Sequence, residues 1–374
     1  MIIGIDGSRA FLKQRTGIEE YSYQVIKHLT KELRDCQVVL YLRDNQEIDF
    51  DIPKNWKIKK LWLPYFTSQI RFSLEFLFNP IDVLFIPAHV VPPIHPKKTI
   101  VTIHGLEYEF VTGAYSWWAR LYMRTVIKNS CHWAKKIIAV SKNTRQDLVN
   151  LYKVPEEKIE VIYEGYEKNL SFRAERSKVE ESNSENSSRS LDYARDDNAK
   201  YLLFIGRLEK RKNIIGIIRA FQILKEKYKI PHKLVLAGKF GYGEWEIHQK
   251  LKNINCSQDI ILPGYVSEDK KWELLKNADV FLFPTFYEGF GLPILEAQSV
   301  GVPVVASNAS SIPEIANGSA LLADPTAPEF IAKQAYELIS NEELRNDIIK
   351  KGYENVKRFS WAKCAAEISK LLTK

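Results

Sequence analysis

Short apolar runs alternate with amphipathic stretches along the first half of the chain. Strands are predicted where aliphatic and β-branched residues cluster ahead of a glycine or a capping residue, and a helix is predicted over 20–33. The predicted strands are Ile2–Asp6, Val38–Leu42, Val83–Ile86, Thr99–Ile103 and Lys136–Val140. Strands separated by helices favour a mostly parallel sheet that is covered on both faces.

The same alternation begins again at Tyr201, and a helix is predicted over 214–228. The predicted strands of this second half are Tyr201–Ile205, Lys233–Ala237, Ile260–Leu262, Asp279–Phe283 and Val302–Ala306. The pattern indicates a second doubly wound α/β domain. In such sheets ligands bind beyond the carboxyl ends of the strands, so the residues after each strand are candidates for a site.

A polar segment separates the two patterns. Residues 171–200 are rich in serine, asparagine and charged side chains, and they include few large apolar ones. Such a segment buries too little apolar surface to fold, so we interpret it as a disordered linker or insertion at the domain boundary. The predicted domains are residues 1–170 and 201–356, and a last helix within 357–374 is expected to complete the first domain.

The composition is that of a globular protein with two domains. The chain has 374 residues, of which 45% are hydrophobic and 27% are charged. Its four cysteines are widely spaced and form no CxxC pair, which is typical of a reduced compartment without a zinc site. No signal peptide and no stretch long enough to span a membrane is evident. We therefore expect a soluble, cytoplasmic protein.

The net charge of +8 is unevenly distributed. Basic residues recur every four positions on one predicted helix face beside aromatic residues, in the set Arg120, Arg124, Lys128, Trp117, Trp118, Leu121 and Tyr122. A second basic and aromatic cluster comprises Lys57, Lys59, Lys60, Arg71, Trp56, Trp62, Tyr65 and Phe66. Contact with an anionic membrane at its inner face is one interpretation, and a core-packed helix with a solvated basic face is the other. No nucleic-acid-binding module accompanies the charge.

Two carboxylates, Glu288 and Glu296, bracket a glycine-rich turn that opens a helix. Pro293 suits the beginning of a helix, which places Glu288 on the preceding loop and Glu296 in the first helical turn. The unpaired N–H groups of a helix start favour an anionic or hydroxyl-rich ligand, and carboxylates accept hydrogen bonds from sugar hydroxyls. The alternative is a buried turn with two solvated glutamates.

Two cations, Arg207 and Lys212, follow the first strand of the second half. A guanidinium and an ammonium at a strand end would neutralise a diphosphate leaving group as its bond to a sugar breaks. Without such a context the run 209–212 would be a solvated helix start. Asp49 and Asp51 have the DxD spacing of a metal site, but they fall in a polar loop away from the strand ends, so no metal and no cofactor is expected.

These motifs resemble those of the family 4 retaining glycosyltransferases, which have the GT-B fold of two Rossmann-like domains facing across a cleft. The resemblance rests on the Glu288–Glu296 segment, on the pair Arg207 and Lys212, and on the strand 302–307 that follows. It covers nearly the whole chain except residues 171–200. It also implies that the last helix crosses back to the first domain, with Trp361 as its anchor.

The resemblance implies specific roles in the C-terminal domain. Glu296 would bind the ribose hydroxyls of a nucleotide, Glu288 would contact the donor sugar, and Arg207 and Lys212 would bind the diphosphate. Backbone groups would contact the sugar at Phe290, Gly291 and Leu292, and the base at Tyr265 and Val266.

In the N-terminal domain, the resemblance places Gly17 beside the phosphates and His104 at the donor sugar. His104 would bind a sugar hydroxyl or position the acceptor, and it would not act as a nucleophile. Many relatives have His-Asp where this chain has His104-Gly105, so a role taken from that aspartate does not transfer. The N-terminal loop also has the single glycine Gly17 where some relatives have two.

The prediction is a metal-independent, retaining hexosyltransferase that takes a mannosyl or glucosyl group from a donor of the GDP-mannose or UDP-glucose type. The acceptor would be a glycan or a lipid-linked glycan in polysaccharide or lipopolysaccharide biosynthesis. Alternatives are another sugar-nucleotide enzyme with this fold, such as an epimerase, and an inactive sugar-nucleotide-binding protein. A nicotinamide oxidoreductase is disfavoured because no GxGxxG follows the first strand.

Overall fold

A computed structural model describes residues 1–12, 15, 17–62, 68–166 and 200–374. The described chain divides into two compact units. The N-terminal unit consists of Met1–Glu109, Trp117–Gly165 and Phe359–Lys374 within the described ranges, and the C-terminal unit consists of Phe110–Ser116 and the described part of Tyr166–Arg358. The short segment Phe110–Ser116 therefore belongs to the C-terminal unit, although it lies within the first half of the sequence.

The N-terminal unit contains a parallel sheet with the strand order β3-β2-β1-β4-β5-β6-β7. Its strands are β1 (Ile2–Asp6), β2 (Gln37–Arg43), β3 (Trp56–Leu61), β4 (Val83–Ile86), β5 (Lys98–Ile103), β6 (Lys136–Ala139) and β7 (Ile159–Val161). All four residues of the central strand β4 are buried, as expected of a parallel strand with both faces covered. The strand order reverses between β1 and β4, which is the point where such sheets bind ligands.

Helices connect these strands and cover the sheet. They are α1 (Gly17–Glu32), α2 (Ser68–Phe78), α3 (Glu107–Phe110), α4 (Trp117–Trp133) and α5 (Lys142–Tyr152). Ser141 caps α5 by accepting a hydrogen bond from the Thr144 N–H at 3.1 Å. Such a cap satisfies a backbone donor that the first helical turn leaves unpaired.

The C-terminal unit contains a second parallel sheet, with the order β10-β9-β8-β11-β12-β13. Its strands are β8 (Tyr201–Ile205), β9 (Lys233–Ala237), β10 (Ile260–Gly264), β11 (Val280–Phe283), β12 (Val304–Ser307) and β13 (Leu321–Ala323). Its helices are α6 (Ile214–Glu226), α7 (Glu244–Lys252), α8 (Glu268–Lys276), α9 (Leu292–Ser299), α10 (Ile312–Ala316), α11 (Pro328–Ser340) and α12 (Glu342–Val356).

The last helix, α13 (Trp361–Thr373), belongs to the N-terminal unit. Trp361 is 4% exposed and packs on Gly165, where a Cβ atom would lie 2.1 Å from the Trp361 backbone nitrogen. The ring of Tyr21 in α1 also contacts Trp361, with centroids 5.9 Å apart. Helix α13 is thus anchored at its beginning by a tryptophan that has no room to move.

The predicted fold class is confirmed, since both units are parallel α/β sheets. The prediction missed the strands β3, β7 and β13, which lie at sheet edges, and β3 reads as a lysine-rich segment. The predicted linker 171–200 falls outside the described residues apart from Lys200. Where the chain is described, no helix is both long enough and apolar enough to cross a membrane.

Candidate functional site

Glycines stand at the carboxyl ends of three neighbouring strands of the C-terminal sheet: Gly206 after β8, Gly238 after β9 and Gly264 at the end of β10. The Gly206 N–H donates to the carbonyl of Ala237 at 3.0 Å, and the Gly238 N–H donates to the carbonyl of Gly264 at 2.8 Å. A Cβ atom on Gly238 would lie 1.9 Å from the Gly206 carbonyl oxygen, and Gly238 has a φ of 146°. Only glycine fits there, so this edge of the sheet offers bare backbone to a ligand.

Glu288 is held by two cations from the turn that follows β8. This turn is a 3-10 helix over Lys210–Lys212, and the Asn213 side chain caps α6 directly after it. The Lys212 ammonium bonds one carboxylate oxygen of Glu288, and the Arg211 guanidinium donates to the same oxygen at 3.0 Å. The side chains of Lys212, Arg211 and Glu288 are 11%, 17% and 12% exposed. They form a largely buried ion cluster.

The charge of Glu288 is fixed by this cluster. Burial alone would raise the pKa of the Glu288 carboxyl, but the charges of Lys212 and Arg211 outweigh burial and hold that pKa below its usual range. Glu288 is therefore ionised at neutral pH and acts only as a hydrogen-bond acceptor. Arg211 also donates to Glu209 at 2.9 Å and to the Tyr287 carbonyl at 3.1 Å, which ties the cluster to its neighbours.

Arg207 lies at the same strand end but outside the buried cluster. Its side chain is 68% exposed, and its Nε is 4.0 Å from a carboxylate oxygen of Glu209. The two cations that were predicted to act as a pair therefore have different surroundings. Lys212 is buried against Glu288, whereas the Arg207 guanidinium faces solvent at the carboxyl edge of the sheet.

Glu296 is the fifth residue of α9, which begins at Leu292. It lies one residue beyond the first turn of that helix, so its predicted position within the first turn is wrong by one residue. Lys271 of α8 donates to Glu296 at 2.9 Å and pairs with Glu268 at 2.6 Å. Burial lowers the pKa of Lys271, but these two carboxylates outweigh burial and raise that pKa above its ordinary value. Glu296 is 24% exposed and thus more accessible than Glu288.

Two serines fix the turn between the two carboxylates. The Glu288 N–H donates to the Ser310 hydroxyl at 2.9 Å. The Ser311 hydroxyl donates to the carbonyl oxygens of Glu288 at 2.9 Å and Phe290 at 2.7 Å. Gly291 follows and occupies the N-cap position of α9, so the backbone of Phe290, Gly291 and Leu292 runs between Glu288 and the start of the helix.

Tyr265 and Val266 follow β10 at the same edge of the sheet. Tyr265 is 59% exposed, and the ammonium of Lys239 lies 4.8 Å from the centre of its ring. Val266 is half-buried and packs against the core. An exposed aromatic face beside a strand end is suited to stacking against a planar ligand group.

His104 follows β5 in the N-terminal unit and is 9% exposed. Its Nε2 donates to the Pro87 carbonyl at 2.8 Å, and its Nδ1 lies 3.2 Å from a carboxylate oxygen of Glu164. Its ring also packs edge-on against Tyr21 and His89, with centroids 4.5 and 5.3 Å away. Both ring nitrogens of His104 are engaged within the protein, so a bond to a sugar hydroxyl would have to replace one of these contacts.

Gly105 and Gly17 of the N-terminal unit have different surroundings. Gly105 has a φ of 152°, a conformation that side chains rarely adopt, so glycine is suited to this position. Gly17 is the first residue of α1, and a Cβ atom there would meet nothing within 4 Å. Gly17 therefore lies at an open helix start.

The DxD segment has a packing role. The Asp49 carboxylate is hydrogen-bonded to the Tyr23 hydroxyl, and burial together with this carboxylate raises the pKa of Tyr23 to about 12. The Phe50 ring packs against the rings of Phe11 and Tyr23. Among the described residues, no group of three or more His, Cys, Asp or Glu side chains is placed to hold a metal ion.

The predicted basic stripe on α4 is partly neutralised by the protein itself. Arg124 forms a two-fold pair with Glu109, and Arg120 donates to the Tyr108 carbonyl at 2.9 Å. Two of the three cations of this stripe are therefore already bonded within the protein. The aromatic and apolar residues beside it remain exposed, at 48% to 64%, namely Trp117, Trp118, Leu121 and Tyr122.

The second basic and aromatic cluster is also smaller than predicted. Trp56 is 4% exposed and belongs to the core, and Lys59 pairs with Glu75 at 2.5 Å. Trp62 is 72% exposed. Tyr65 and Phe66 lie outside the described residues.

Sequence reasoning missed three partners of the predicted residues. Arg211 was interpreted as part of a solvated charge run, yet it binds Glu288. Lys271 and Glu164 are far in sequence from Glu296 and His104, and no local pattern marks them. The only available signal was for Arg211, which lies directly beside Lys212.

The C-terminal site combines cations, ionised carboxylates, bare backbone and a helix start at one sheet edge. Arg207 and Lys212 are suited to phosphate oxygens, and carboxylates at the edge accept hydrogen bonds from hydroxyl groups. The site thus fits a phosphorylated, hydroxyl-rich ligand.

Comparisons with known proteins agree with this description. A sequence model of the family described as Glycosyl transferases group 1 matches residues 189–355, and one described as Glycosyltransferase Family 4 matches residues 15–169. The O-antigen chain mannosyltransferase B of Escherichia coli is 31% identical over 167 residues, which are 45% of this chain and 44% of that protein. The match thus spans less than half of that relative.

An uncharacterized glycosyltransferase of Methanocaldococcus jannaschii is 26% identical over 367 residues, covering 87% of this chain and 89% of that protein. The structure of Anabaena HepE in complex with UDP and glucose has a TM-score of 0.71 at 17% identity, covering 100% of this chain and 99% of that one. The structural likeness shows the fold, and the family models together extend over both units. Each half of the chain therefore matches a glycosyltransferase family model, and the chain is a glycosyltransferase with the GT-B fold.

Proposed function

We propose that this glycosyltransferase moves a mannosyl or glucosyl group from a nucleotide sugar to a glycan or lipid-linked glycan, with retention of configuration and without a metal. The observation that carries the proposal is the ion cluster of Lys212, Arg211 and Glu288 beside the exposed Arg207. This cluster stands at the carboxyl edge of the sheet, where a diphosphate would meet fixed positive charge.

The diphosphate would bind between Arg207 and Lys212. Three cations and two carboxylates lie at this strand end, namely Arg207, Arg211, Lys212, Glu209 and Glu288, so the formal charge here is positive. A dianionic diphosphate would compete with Glu288 for the Lys212 ammonium. Arg211 would keep Glu288 paired during this exchange, so no buried carboxylate would be left without a cation.

The two carboxylates would bind different parts of the donor. Glu288 would accept hydrogen bonds from the donor sugar, and Glu296 would accept them from the ribose hydroxyls. Both roles require a hydrogen-bond acceptor, which agrees with the depressed pKa of Glu288, because an ionised carboxylate only accepts hydrogen bonds. The exposed ring of Tyr265 would stack on the base, with backbone contacts from Val266. Gly17 beside the phosphates and His104 at the sugar remain predictions.

The resemblance to retaining glycosyltransferases implies a transfer step on one face of the sugar, assisted by the leaving phosphate. The bond between the anomeric carbon and the phosphate oxygen breaks, and the acceptor oxygen bonds that carbon on the same face. The proton of the acceptor hydroxyl passes to the leaving phosphate oxygen. Arg207 and Lys212 supply the positive charge that stabilises the phosphate, so no metal ion is required.

The choice of donor rests on relatives. The mannosyltransferase of Escherichia coli is named for O-antigen chains, whereas the similar Anabaena structure holds UDP and glucose. These two names support a hexose donor without distinguishing GDP-mannose from UDP-glucose. A panel of sugar nucleotides should be tested by thermal shift and donor turnover, with chelator present.

One nucleotide class should stabilise the protein in that panel, and Arg207→Ala or Glu296→Ala should weaken the response. Turnover should require an acceptor, and the product should keep the anomeric configuration of the donor. Conversion of the donor sugar without an acceptor would indicate an epimerase, and binding without turnover would indicate an inactive binding protein. Stimulation by manganese would contradict the metal-free mechanism.

We also infer that α4 contacts an anionic membrane, which would bring the enzyme to a lipid-linked acceptor. Its exposed Trp117, Trp118 and Tyr122 are suited to the interface of a bilayer, and Lys128 is exposed on the same helix. Because Arg120 and Arg124 are bonded within the protein, the apolar part should dominate. Sedimentation with anionic vesicles should fall when Trp117 and Trp118 are replaced by serine, and equal sedimentation of this variant would contradict the placement.

A further inference from the structure

A separate cavity of about 290 Å³ lies at the beginning of α6. It is bounded by α6, α7 and the turn that leads into α11, and its walls are mainly apolar, formed by Ile214, Ile215, Ile247, Phe286, Pro325 and Pro328. None of the residues assigned above to the donor contributes to it. The volume is near the lower limit of ligand-binding cavities, so it suits a monosaccharide and is small for a nucleotide.

Charged groups flank these apolar walls. Lys210 and Arg219 line the cavity and are both exposed, and neither forms an ion pair with another described residue. Helix α6 spans 13 residues, and its positive end lies at the cavity because Asn213, Ile214 and Ile215 line it. The cavity thus presents positive charge to an anionic group.

Hydrogen-bonding groups complete the lining. Glu246 offers a carboxylate that accepts hydrogen bonds from hydroxyls, and Thr326 offers a hydroxyl that donates or accepts. A ligand that satisfies all of these features carries a phosphate, several hydroxyls and one apolar ring face. We propose that this cavity binds a sugar phosphate, with the phosphate at Lys210 and Arg219 and the C–H face of the sugar against Phe286.

An occupant would touch both segments that hold Glu288. Lys210 directly precedes Arg211 and Lys212, and Phe286 directly precedes Tyr287 and Glu288. The two segments are bonded together here, since the Phe286 N–H donates to the Arg211 carbonyl at 3.0 Å. A bound sugar phosphate would order the donor site, so it should raise the affinity for nucleotide, and nucleotide should raise its affinity by the same factor. This coupling, unlike the binding itself, rests on the proposed function.

Isothermal titration of the full chain tests the binding. Glucose 6-phosphate and mannose 1-phosphate are titrated with saturating UDP or GDP present, alongside phenyl phosphate and inorganic phosphate. At least one sugar phosphate should bind one-to-one, and phenyl phosphate and inorganic phosphate should bind at least about tenfold more weakly because they lack the hydroxyls or the ring. Absence of saturable binding, equal binding of inorganic phosphate, or displacement of the sugar phosphate by nucleotide would overturn the proposal.

Two variants locate the site. Arg219→Ala should weaken the sugar phosphate at least about tenfold, and Ile215→Trp should fill the cavity and abolish binding. Lys276→Ala removes an exposed cation outside the cavity and should leave binding unchanged. Thermal unfolding of each variant checks that it is folded. Unchanged binding in Arg219→Ala and in a folded Ile215→Trp would show that the ligand binds elsewhere.

The coupling has its own readout. The dissociation constant of UDP or GDP should fall a few-fold with saturating sugar phosphate in the unaltered chain and not in Arg219→Ala. An unchanged constant in the unaltered chain would refute the coupling. If no nucleotide binds at all, the proposed function fails, while the sugar phosphate isotherm without nucleotide still decides the cavity.

Discussion

Glu288 and Glu296 bracket the same turn, but the regions around them differ. Glu288 is 12% exposed and bonds two cations, Lys212 and Arg211, that arrive from another strand end. Glu296 is 24% exposed and is bonded by Lys271 at the edge of the site. The spacing of the two acids predicts that they share a site, whereas their surroundings determine what each can do.

The difference is one of electrostatic compensation. A largely buried carboxylate is stable only when cations repay its lost hydration, so Glu288 and its two partners depend on one another. Lys271 is paired with Glu268 as well as with Glu296, so its ammonium keeps a carboxylate partner when Glu296 is lost. Loss of Glu288 should therefore impair both catalysis and stability, while loss of Glu296 should impair only the binding of the donor.

The largest expected effect comes from the cations. Lys212→Ala should lower the rate of transfer by about 100- to 1000-fold, since it removes charge that stabilises the leaving phosphate. Lys271→Ala should mainly raise the KM for the donor, because it orients Glu296 without touching the phosphate. Steady-state kinetics with a purified acceptor separates the two parameters. Equal losses of kcat in both variants would remove the distinction between the two regions.

The second effect concerns stability. Glu288→Ala should lower the free energy of unfolding by about 3 kcal/mol, because it leaves Lys212 and Arg211 largely buried without their shared carboxylate. Glu296→Ala should cost less than about 1 kcal/mol. Urea unfolding followed by circular dichroism measures both variants under the same conditions. A larger loss in Glu296→Ala would reverse the comparison.

Arg207 offers a cleaner test of function, because it is 68% exposed. Arg207→Ala should weaken nucleotide diphosphate binding by about tenfold through loss of a charge-assisted hydrogen bond. The melting temperature without ligand should stay unchanged. Isothermal titration with UDP and GDP gives the affinity, and Lys276→Ala serves as an exposed cation away from the site. Unaltered affinity in Arg207→Ala would place the diphosphate elsewhere.

The smallest expected effect is a change in the free energy of unfolding at acidic pH. Since the pKa of Glu288 is lower in the folded protein than its ordinary value of 4.5, the cluster stabilises the fold fully above that value. The stabilisation is lost as the pH falls through the lower, folded pKa. The difference in unfolding free energy between the unaltered chain and Glu288→Gln should therefore shrink from pH 6 to pH 3. A difference that is constant over this range would contradict the depressed pKa.

The sequence allowed the architecture to be predicted, because short apolar strands alternate with helices in both halves. Strands with both faces buried, such as β4 and β11, have unmistakable apolar runs. The edge strands were missed because β3 carries lysines on its exposed side and β13 is only three residues long. The predicted positions at strand ends were also informative, since parallel strands bring their carboxyl ends to one edge.

The contacts of the site could not be predicted. The motifs identified Glu288 and Lys212 as candidate site residues, but the bond between them depends on how close the ends of β8 and β11 lie. Lys271 reaches Glu296 from a different helix, and α4 loses two of its cations to Glu109 and Tyr108. Such long-range pairings leave no trace in local periodicity, so a solvated charge run and a buried ion cluster look the same in the sequence.

The most direct test of the central claim is a crystal structure with an unhydrolysed nucleotide sugar. Arg207 and Lys212 should contact the diphosphate, Glu296 should accept hydrogen bonds from the ribose, and Glu288 should remain paired with Arg211. A donor bound away from these side chains, or Lys212 still bonded only to Glu288 with the diphosphate in place, would contradict the account.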